Sequence, residues 1–139
     1  MRNPLNSIED AGIIIENPSF MEDYTLLENL NIIKKFSDKK DEINLDYWLD
    51  FYDLWEHRNK KYKHLSLGTK QKMLLIQAFM TNPKTLILDE CFSGLYEKSA
   101  QKTRDYIKRY MSDDKIIILT SHIRTDIEEL CDEVISLHA

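Results

Sequence analysis

Two adjacent acids, Asp89 and Glu90, follow the short apolar run TLIL at residues 85–88. A run of this length and composition predicts a buried strand. Open parallel α/β sheets bind their ligands at the carboxyl ends of the strands. Carboxylates at that edge are suited to holding a hard metal ion or to accepting a proton from water. On its own, the pattern more often marks a strand followed by a solvated turn, so its meaning depends on the neighbouring motifs.

The segment LSLGTKQK at residues 65–72 places a serine and a glycine at the predicted start of a helix. Ser66 offers a hydroxyl, and Gly68 allows a close backbone approach. A helix that begins near Thr69 directs free amides and its positive end outward. These features predict anion binding, whereas a simple N-cap at Ser66 would explain the same residues without a ligand.

A third candidate, His122, follows Ser121 directly after the apolar run IIILT at residues 116–120. A lone histidine after a strand is more often structural, but here it follows the acid pair and a second predicted strand in order. The other histidines, His57, His64 and His138, show no metal-ligand spacing.

Periodicity, capping and chain-breaker signals predict an α/β chain. We predict strands over Gly12–Glu16, Thr85–Leu88, Lys115–Thr120 and Glu133–Leu137, and helices over Leu26–Phe36, Leu45–His57, Thr69–Met80, Glu97–Tyr110 and Ile123–Cys131. The last half alternates strand and helix, so its strands should be parallel with right-handed crossovers.

The composition is that of a globular chain of 139 residues, one domain or part of one. Hydrophobic residues make up 42% and charged residues 31%, which argues against disorder. A net charge of −5 gives no basic footprint for nucleic acid. Cys91 and Cys131 form no disulfide framework, which fits a reducing cytosol. No apolar stretch approaches the roughly 20 residues that span a bilayer, and the polar first residues show no signal-peptide pattern.

The three motifs, in this order and spacing, resemble the signature, Walker B and switch motifs of ABC (ATP-binding cassette) ATPases. They are Leu65-Ser66-Leu67-Gly68, the strand that ends at Asp89-Glu90, and the strand that ends at Ser121-His122. The resemblance implies an α/β fold: part of a RecA-like (P-loop NTPase) parallel sheet with a helical subdomain. The helical subdomain would span about residues 26–82, and the Walker B to switch part of the core about residues 83–139.

The resemblance also implies roles for the residues near the acids. Asp89 would organise Mg²⁺, and Glu90 would act as the general base, or position the water, for attack on the γ-phosphate of ATP. His122 would hydrogen-bond the γ-phosphate. Glu16 stands where the family's Q-loop has glutamine, so it would be a further oxygen ligand for the metal and the nucleotide site.

For Ser66 and Gly68, the resemblance implies contact with a nucleotide held by a second nucleotide-binding subunit, in a head-to-tail dimer. Several positions depart from the family pattern. Leu67 replaces a glycine of the signature, Cys91 replaces the proline after the acid pair, and Tyr96 replaces the D-loop aspartate that helps to couple the two sites. Around Glu16 and in the stretch Glu28-Asn29-Leu30, the sequence is reminiscent of exporter subunits of the bacitracin and lantibiotic-immunity type.

The P-loop, G-x-x-x-x-G-K-[ST], does not occur in the sequence, because none of Gly12, Gly68 and Gly94 begins or ends such a segment. The resemblance therefore predicts a C-terminal portion of a nucleotide-binding domain, whether through a truncated gene, a split gene or a shortened chain. By itself, the chain should neither bind nor hydrolyse ATP appreciably.

The predicted function is the ATP-hydrolysing subunit of an ABC transporter, at the inner face of the cell membrane through a permease partner. One alternative is a non-enzymatic module that binds a partner cassette, and another is a soluble ABC ATPase that takes no part in transport. The predicted cofactors are ATP and Mg²⁺, and no nucleic-acid partner is predicted.

The helix with Trp48, Phe51, Tyr52 and Trp55 carries more aromatic residues than one buried stripe needs. Either all four are core, or some line a groove for a short helix of the membrane subunit.

Overall fold

The computed structural model describes residues 10–14, 20–112 and 114–137. Within these ranges three parallel strands form one sheet in the order β1–β2–β3: Ala11–Ile14 (β1), Thr85–Asp89 (β2) and Ile116–Thr120 (β3). The helices are Leu26–Lys35 (α1), Leu45–Phe51 (α2), Leu67–Phe79 (α3), Glu97–Tyr110 (α4) and Arg124–Leu130 (α5), with single 3₁₀ turns at Trp55–His57 and Tyr62–His64. The predicted α/β class with a parallel sheet is confirmed. The predicted division of the chain near residue 82, into a helical subdomain and a part of the core, stays a prediction.

One face of the sheet packs directly against α3. Ile14 and Leu88, which are paired in register, are 3% and 1% exposed. At Gly12 the approach is so close that an added Cβ would lie 2.1 Å from the carbonyl oxygen of Ala78 in α3. A glycine is therefore needed at this position of β1, because any side chain would meet helix backbone.

The first helix begins with the predicted capping box. The Thr25 hydroxyl accepts a hydrogen bond from the Glu28 backbone N–H (3.1 Å), and the Glu28 carboxylate accepts one from the Thr25 N–H (2.7 Å). This reciprocal pair satisfies two backbone donors and fixes where α1 starts.

The predicted helix over Leu45–His57 is too long. It ends at Phe51, because Asp53 adopts φ 56°, in the left-handed region. The N–H of Asp53 donates to Asp50 (3.2 Å) and that of Leu54 to Leu49 (2.8 Å). This hydrogen-bond pattern is a Schellman motif, here with aspartate in place of the usual glycine. Leu54 is fully buried, and its burial stabilises the end of α2 at Phe51.

The predicted last strand, Glu133–Leu137, is wrong: these residues adopt no regular structure. Within the described ranges β3 pairs only with β2, so this segment has no ladder. The apolar side chains that suggested a strand are exposed: Val134 by 64%, Ile135 by 84% and Leu137 by 92%. A strand is stable only with a paired neighbour and a face to bury, and the local sequence reveals neither.

No helix in the described part of the chain has the length and apolar character needed to cross a membrane.

Candidate active site

The carboxyl ends of β2 and β3 bring the two predicted strand-end motifs together. Asp89 and Thr120 are paired in register, and the Thr120 hydroxyl donates a hydrogen bond to Asp89 Oδ1. The Glu90 N–H donates to the carbonyl oxygen and to the hydroxyl of Thr120, both at 3.2 Å. Thr120 thus holds both acids, a role that its position as the last residue of an apolar run did not reveal.

Glu90 and His122 meet across this edge. His122 Nε2 lies 3.1 Å from Glu90 Oε1. The backbone of Glu90 has φ 48°, in the left-handed region that non-glycine residues avoid at a cost of about 1–2 kcal/mol. Its carbonyl oxygen accepts a hydrogen bond from the Ser93 N–H (3.1 Å), which closes the turn that follows. Such outliers concentrate at functional sites, where surrounding contacts hold them.

Ser66 is the N-cap of α3, which begins at Leu67, two residues earlier than predicted. The Ser66 hydroxyl accepts a hydrogen bond from the Thr69 N–H (3.2 Å) and lies 2.9 Å from the Thr69 hydroxyl. With Thr69 as the donor in that second contact, the Ser66 proton stays available for an acceptor outside the chain. Ser66 is exposed, so the N-cap and the anion-binding interpretations are compatible.

The start of α3 packs against the turn that follows the acids. A Cβ on Gly68 would lie 2.9 Å from the carbonyl oxygen of Gly94, and a Cβ on Gly94 would lie 3.3 Å from Leu67 Cγ. The side-chain amide of Gln71 donates to the carbonyl oxygen of Cys91 at 2.9 Å. Gly68 therefore allows the two motif segments to touch, in addition to any approach to a ligand. Within the described residues, no hydrogen bond joins Ser66 to Asp89, Glu90 or His122.

The remaining predicted ligand, Glu16, lies outside the described residues. Within the described ranges, no group of three or more His, Cys, Asp and Glu side chains is placed to hold a metal ion by itself. Asp89 offers carboxylate oxygen at a strand end, which suits Mg²⁺ because this ion takes one or two protein carboxylates and completes its shell with water and phosphate.

The aromatic residues of the α2 region are largely core. Trp48 and Tyr52 are 5% and 1% exposed, and Phe51 is partly buried, with its ring 5.8 Å from that of Tyr106 in α4. Trp55, at 37% exposure, is the member left at the surface. The core interpretation therefore fits Trp48, Tyr52 and, in part, Phe51, whereas the groove for a membrane subunit stays a prediction.

A parallel α/β sheet with two acids and a histidine at its carboxyl edge has polar side chains where open α/β domains bind their ligands. The sequence profile of the ABC transporter family matches residues 6–93, and the chain belongs to that family.

Curated relatives are similar along most of this chain. The ABC transporter ATP-binding protein MJ1023 of Methanocaldococcus jannaschii is 38% identical over 114 residues, covering 78% of this chain and 44% of MJ1023. YdbJ of Bacillus subtilis, also an ABC transporter ATP-binding protein, is 34% identical over 93% of this chain and 42% of its own length. The bacitracin transport ATP-binding protein BcrA of Enterococcus faecalis is 30% identical over 92% of this chain and 42% of its own length. The chain thus spans less than half the length of these relatives.

Solved structures agree on the fold. The structure of an ATP-binding subunit of an ABC transporter superimposes with a TM-score of 0.74 at 26% identity, over 87% of this chain and 52% of that one. The ATP-binding cassette MJ0796, solved as a dimer bound to ADP and Pi, superimposes with a TM-score of 0.69 at 20% identity, over 85% of this chain and 54% of MJ0796. The predicted family and fold are confirmed, and the bacitracin-type resemblance has a counterpart in BcrA.

Proposed function

We propose that this chain is the signature-to-switch region of the ATP-hydrolysing subunit of an ABC transporter. It would act at the inner face of the membrane, with a second nucleotide-binding subunit and a permease. The observation that carries the proposal is the 3.1 Å contact between Glu90 and His122, beside Asp89 at the carboxyl edge of the sheet. The acids and the histidine are 30 or more residues apart in sequence, and the parallel pairing of β2 with β3 brings them to one edge.

The geometry supports a division of labour among three side chains. Glu90 Oε1 is engaged by His122, which leaves Oε2 to accept the proton of a water as that water attacks the γ-phosphorus. His122 would donate a hydrogen bond to a γ-phosphate oxygen, the role that the resemblance implies; because a neutral imidazole has one N–H, this donation would replace its contact with Glu90. Asp89 would be the chain's ligand for Mg²⁺, which when bound neutralises phosphate charge. Glu16, whose role rests on the sequence alone, would add an oxygen ligand.

The phosphate cradle must come from residues outside this sequence, which contains no P-loop. A P-loop gives several backbone N–H bonds to phosphate. Four hydrogen bonds to a charged group amount to about 6–12 kcal/mol, whereas a micromolar site totals about 8 kcal/mol. We therefore expect no low-micromolar binding of Mg-ATP to the isolated chain in isothermal titration. Binding in that range at a stoichiometry near one would show that a different cradle exists.

An apolar face of the sheet supports the same conclusion. Ile13, Ile87 and Ile118 are paired in register and point to the face away from α3. Ile13 is 45% exposed and Ile118 54%. Isoleucines in a parallel sheet are normally covered on both faces. We propose that the P-loop-bearing region of the cassette packs on this face.

The decisive experiment joins this chain, in one polypeptide, to the part of YdbJ that the match does not cover, which would supply the P-loop. The fused protein should bind Mg-ATP and hydrolyse it, and Glu90→Gln should keep binding but lower turnover by about 10²–10⁴, the usual cost of losing a positioned base. Glu133→Gln, in the irregular last segment, is the matched control and should leave the rate unchanged. A folded fusion that binds ATP, but in which Glu90→Gln hydrolyses at the parent rate, would refute the assignment of the base.

A second candidate function is favoured by the exposed N-cap of α3. A module that only presents Ser66 to a nucleotide held by another cassette needs no P-loop of its own. In that case the chain should change the ATPase rate of a partner cassette, Ser66→Ala should abolish the effect, and Glu90→Gln should leave it intact. An effect that depends on Glu90 and not on Ser66 would favour the hydrolytic role.

A further inference from the structure

The imidazole of His122 is not held beside Glu90 by packing. Its side chain is 92% exposed, and Glu90 is its single side-chain partner in the described part of the chain. An exposed side chain with one contact is placed mainly by its backbone. The position of the imidazole therefore depends on what holds residues 121–123.

Asp126, in the first turn of α5, holds both residues that flank His122. Its side chain is fully buried. Asp126 Oδ2 accepts a hydrogen bond from the Ser121 hydroxyl at 2.9 Å, and the Ser121 oxygen in turn accepts one from the Ile123 N–H at 3.0 Å. The Asp126 N–H donates to the carbonyl oxygen of Ile123 at 3.1 Å. One acid therefore fixes the loop on either side of the histidine.

Arg104 in α4 is the charge partner of this acid. Its Nε donates to Asp126 Oδ1 at 2.7 Å, and its side chain is 8% exposed. The guanidinium also lies over the ring of Phe92, 5.2 Å from the centroid. Phe92 belongs to the turn that begins at Glu90. The ion pair thus contacts both segments whose side chains meet in the site.

We infer that Asp126, oriented by Arg104, is a positioning residue that sets the distance between His122 and Glu90. A buried ion pair contributes little net stability compared with apolar side chains of the same volume, because both charges lose their hydration. The two carboxylate oxygens accept directional hydrogen bonds, one from Arg104 and one from Ser121, and these fix the orientation of the loop relative to α4, which apolar packing would not do. The catalytic value of this geometry rests on the proposed function, but the geometry itself is measurable in the chain without nucleotide.

The test follows the His122 ring by NMR in the 139-residue chain. In the parent chain, Glu90→Gln should shift the His122 Cε1–H signal, because the two groups are in contact. In a Ser121→Ala background that response should be lost, and Ser121→Thr should restore it. Asp126→Asn should act like Ser121→Ala. Glu128→Gln, which removes an exposed ion pair with Arg124 on the same helix, is the matched control and should retain the response.

Ser121→Ala leaves the ion pair of Arg104 and Asp126 in place. It therefore tests the positioning role of Asp126 without leaving an unpaired buried charge that could unfold the chain. A folded Ser121→Ala chain with the full response to Glu90→Gln would overturn the inference. An absent response in the parent chain would also overturn it, by removing the contact itself. Failure of the proposed function is seen separately, in the ATPase rate of the fused protein.

Discussion

Replacing Gly12 by alanine should strongly destabilise the chain. The new Cβ would lie 2.1 Å from the carbonyl oxygen of Ala78 and 2.8 Å from Leu86 Cδ2. The leucine methyl can move, but the oxygen belongs to the backbone of α3 and moves only with the helix. Overpacking typically costs about 1–3 kcal/mol, and a backbone obstacle places this site at the upper end, near 3 kcal/mol. That is a large fraction of the roughly 5–15 kcal/mol that stabilises a domain.

The assay is urea unfolding followed by circular dichroism. With a slope of about 1–3 kcal/mol per molar, a loss of about 3 kcal/mol lowers the midpoint by about 1–3 M. Ile13→Thr is the control, because Ile13 is the next residue of β1, points to the opposite face and is 45% exposed. It keeps the β-branch and should cost less than about 1 kcal/mol. A Gly12→Ala chain within about 0.5 kcal/mol of the parent would show that α3 does not lie on β1 as described.

Three further changes test other parts of the structure. Gly68→Ala should lower the unfolding free energy by about 1–3 kcal/mol, because the added Cβ would lie 2.9 Å from the Gly94 carbonyl oxygen; an unchanged urea midpoint would contradict this contact. Tyr110→Phe should be neutral or stabilise by about 1 kcal/mol at pH 7, since the hydroxyl is buried with no hydrogen-bond partner within the described ranges. Burial raises the pKa of Tyr110 from 10.0 to about 12, so the hydroxyl ionises first in the unfolded chain and the stability of the parent falls as the pH rises from about 10 towards 12; in thermal melts the parent should lose more stability over that interval than Tyr110→Phe. The hydrogen bond from Lys39 (2.7 Å) lowers the pKa of Asp10 below 3.8, so its stabilising contribution is present above that pH and is lost as the pH falls through the folded pKa; an acid titration of Asp10→Asn with the same slope as the parent would argue against the pair.

Signals that act over a few residues allowed much of the fold to be predicted. The capping box at Thr25 and the apolar run before Asp89 each encode a boundary locally, and both occur in the structure. The end of α2 did not follow from periodicity, because the stop depends on a left-handed aspartate and on the burial of Leu54. The false strand at 133–137 has the composition of a strand but no partner, and pairing is a long-range property.

Motif order led us to predict Asp89, Glu90 and His122 as site residues, and their roles stay a prediction; the contacts that place these residues did not follow from the sequence. Asp89, Glu90 and His122 follow from motif order, whereas Thr120 and Asp126 are ordinary residues in sequence. A buried acid in the first turn of a helix has the same local pattern as an exposed one that favours the helix dipole. Distinguishing the two requires knowing that Arg104, 22 residues earlier, faces the same interior.

The candidate site and the uncovered apolar face are parts of one surface. Side chains alternate along β2, so Ile87 and Asp89 point to the same side, and the register pairs them with Ile118 and Thr120 of β3. A region that buries the isoleucines must therefore run alongside Asp89 and approach Glu90. Apolar burial contributes about 25 cal/mol per Å², which suits a large, permanent contact, while the acids need a ligand that neutralises them. This is why we expect the element that covers the isoleucines to carry the phosphate cradle as well, so that hydrolysis depends on both halves of the site being assembled.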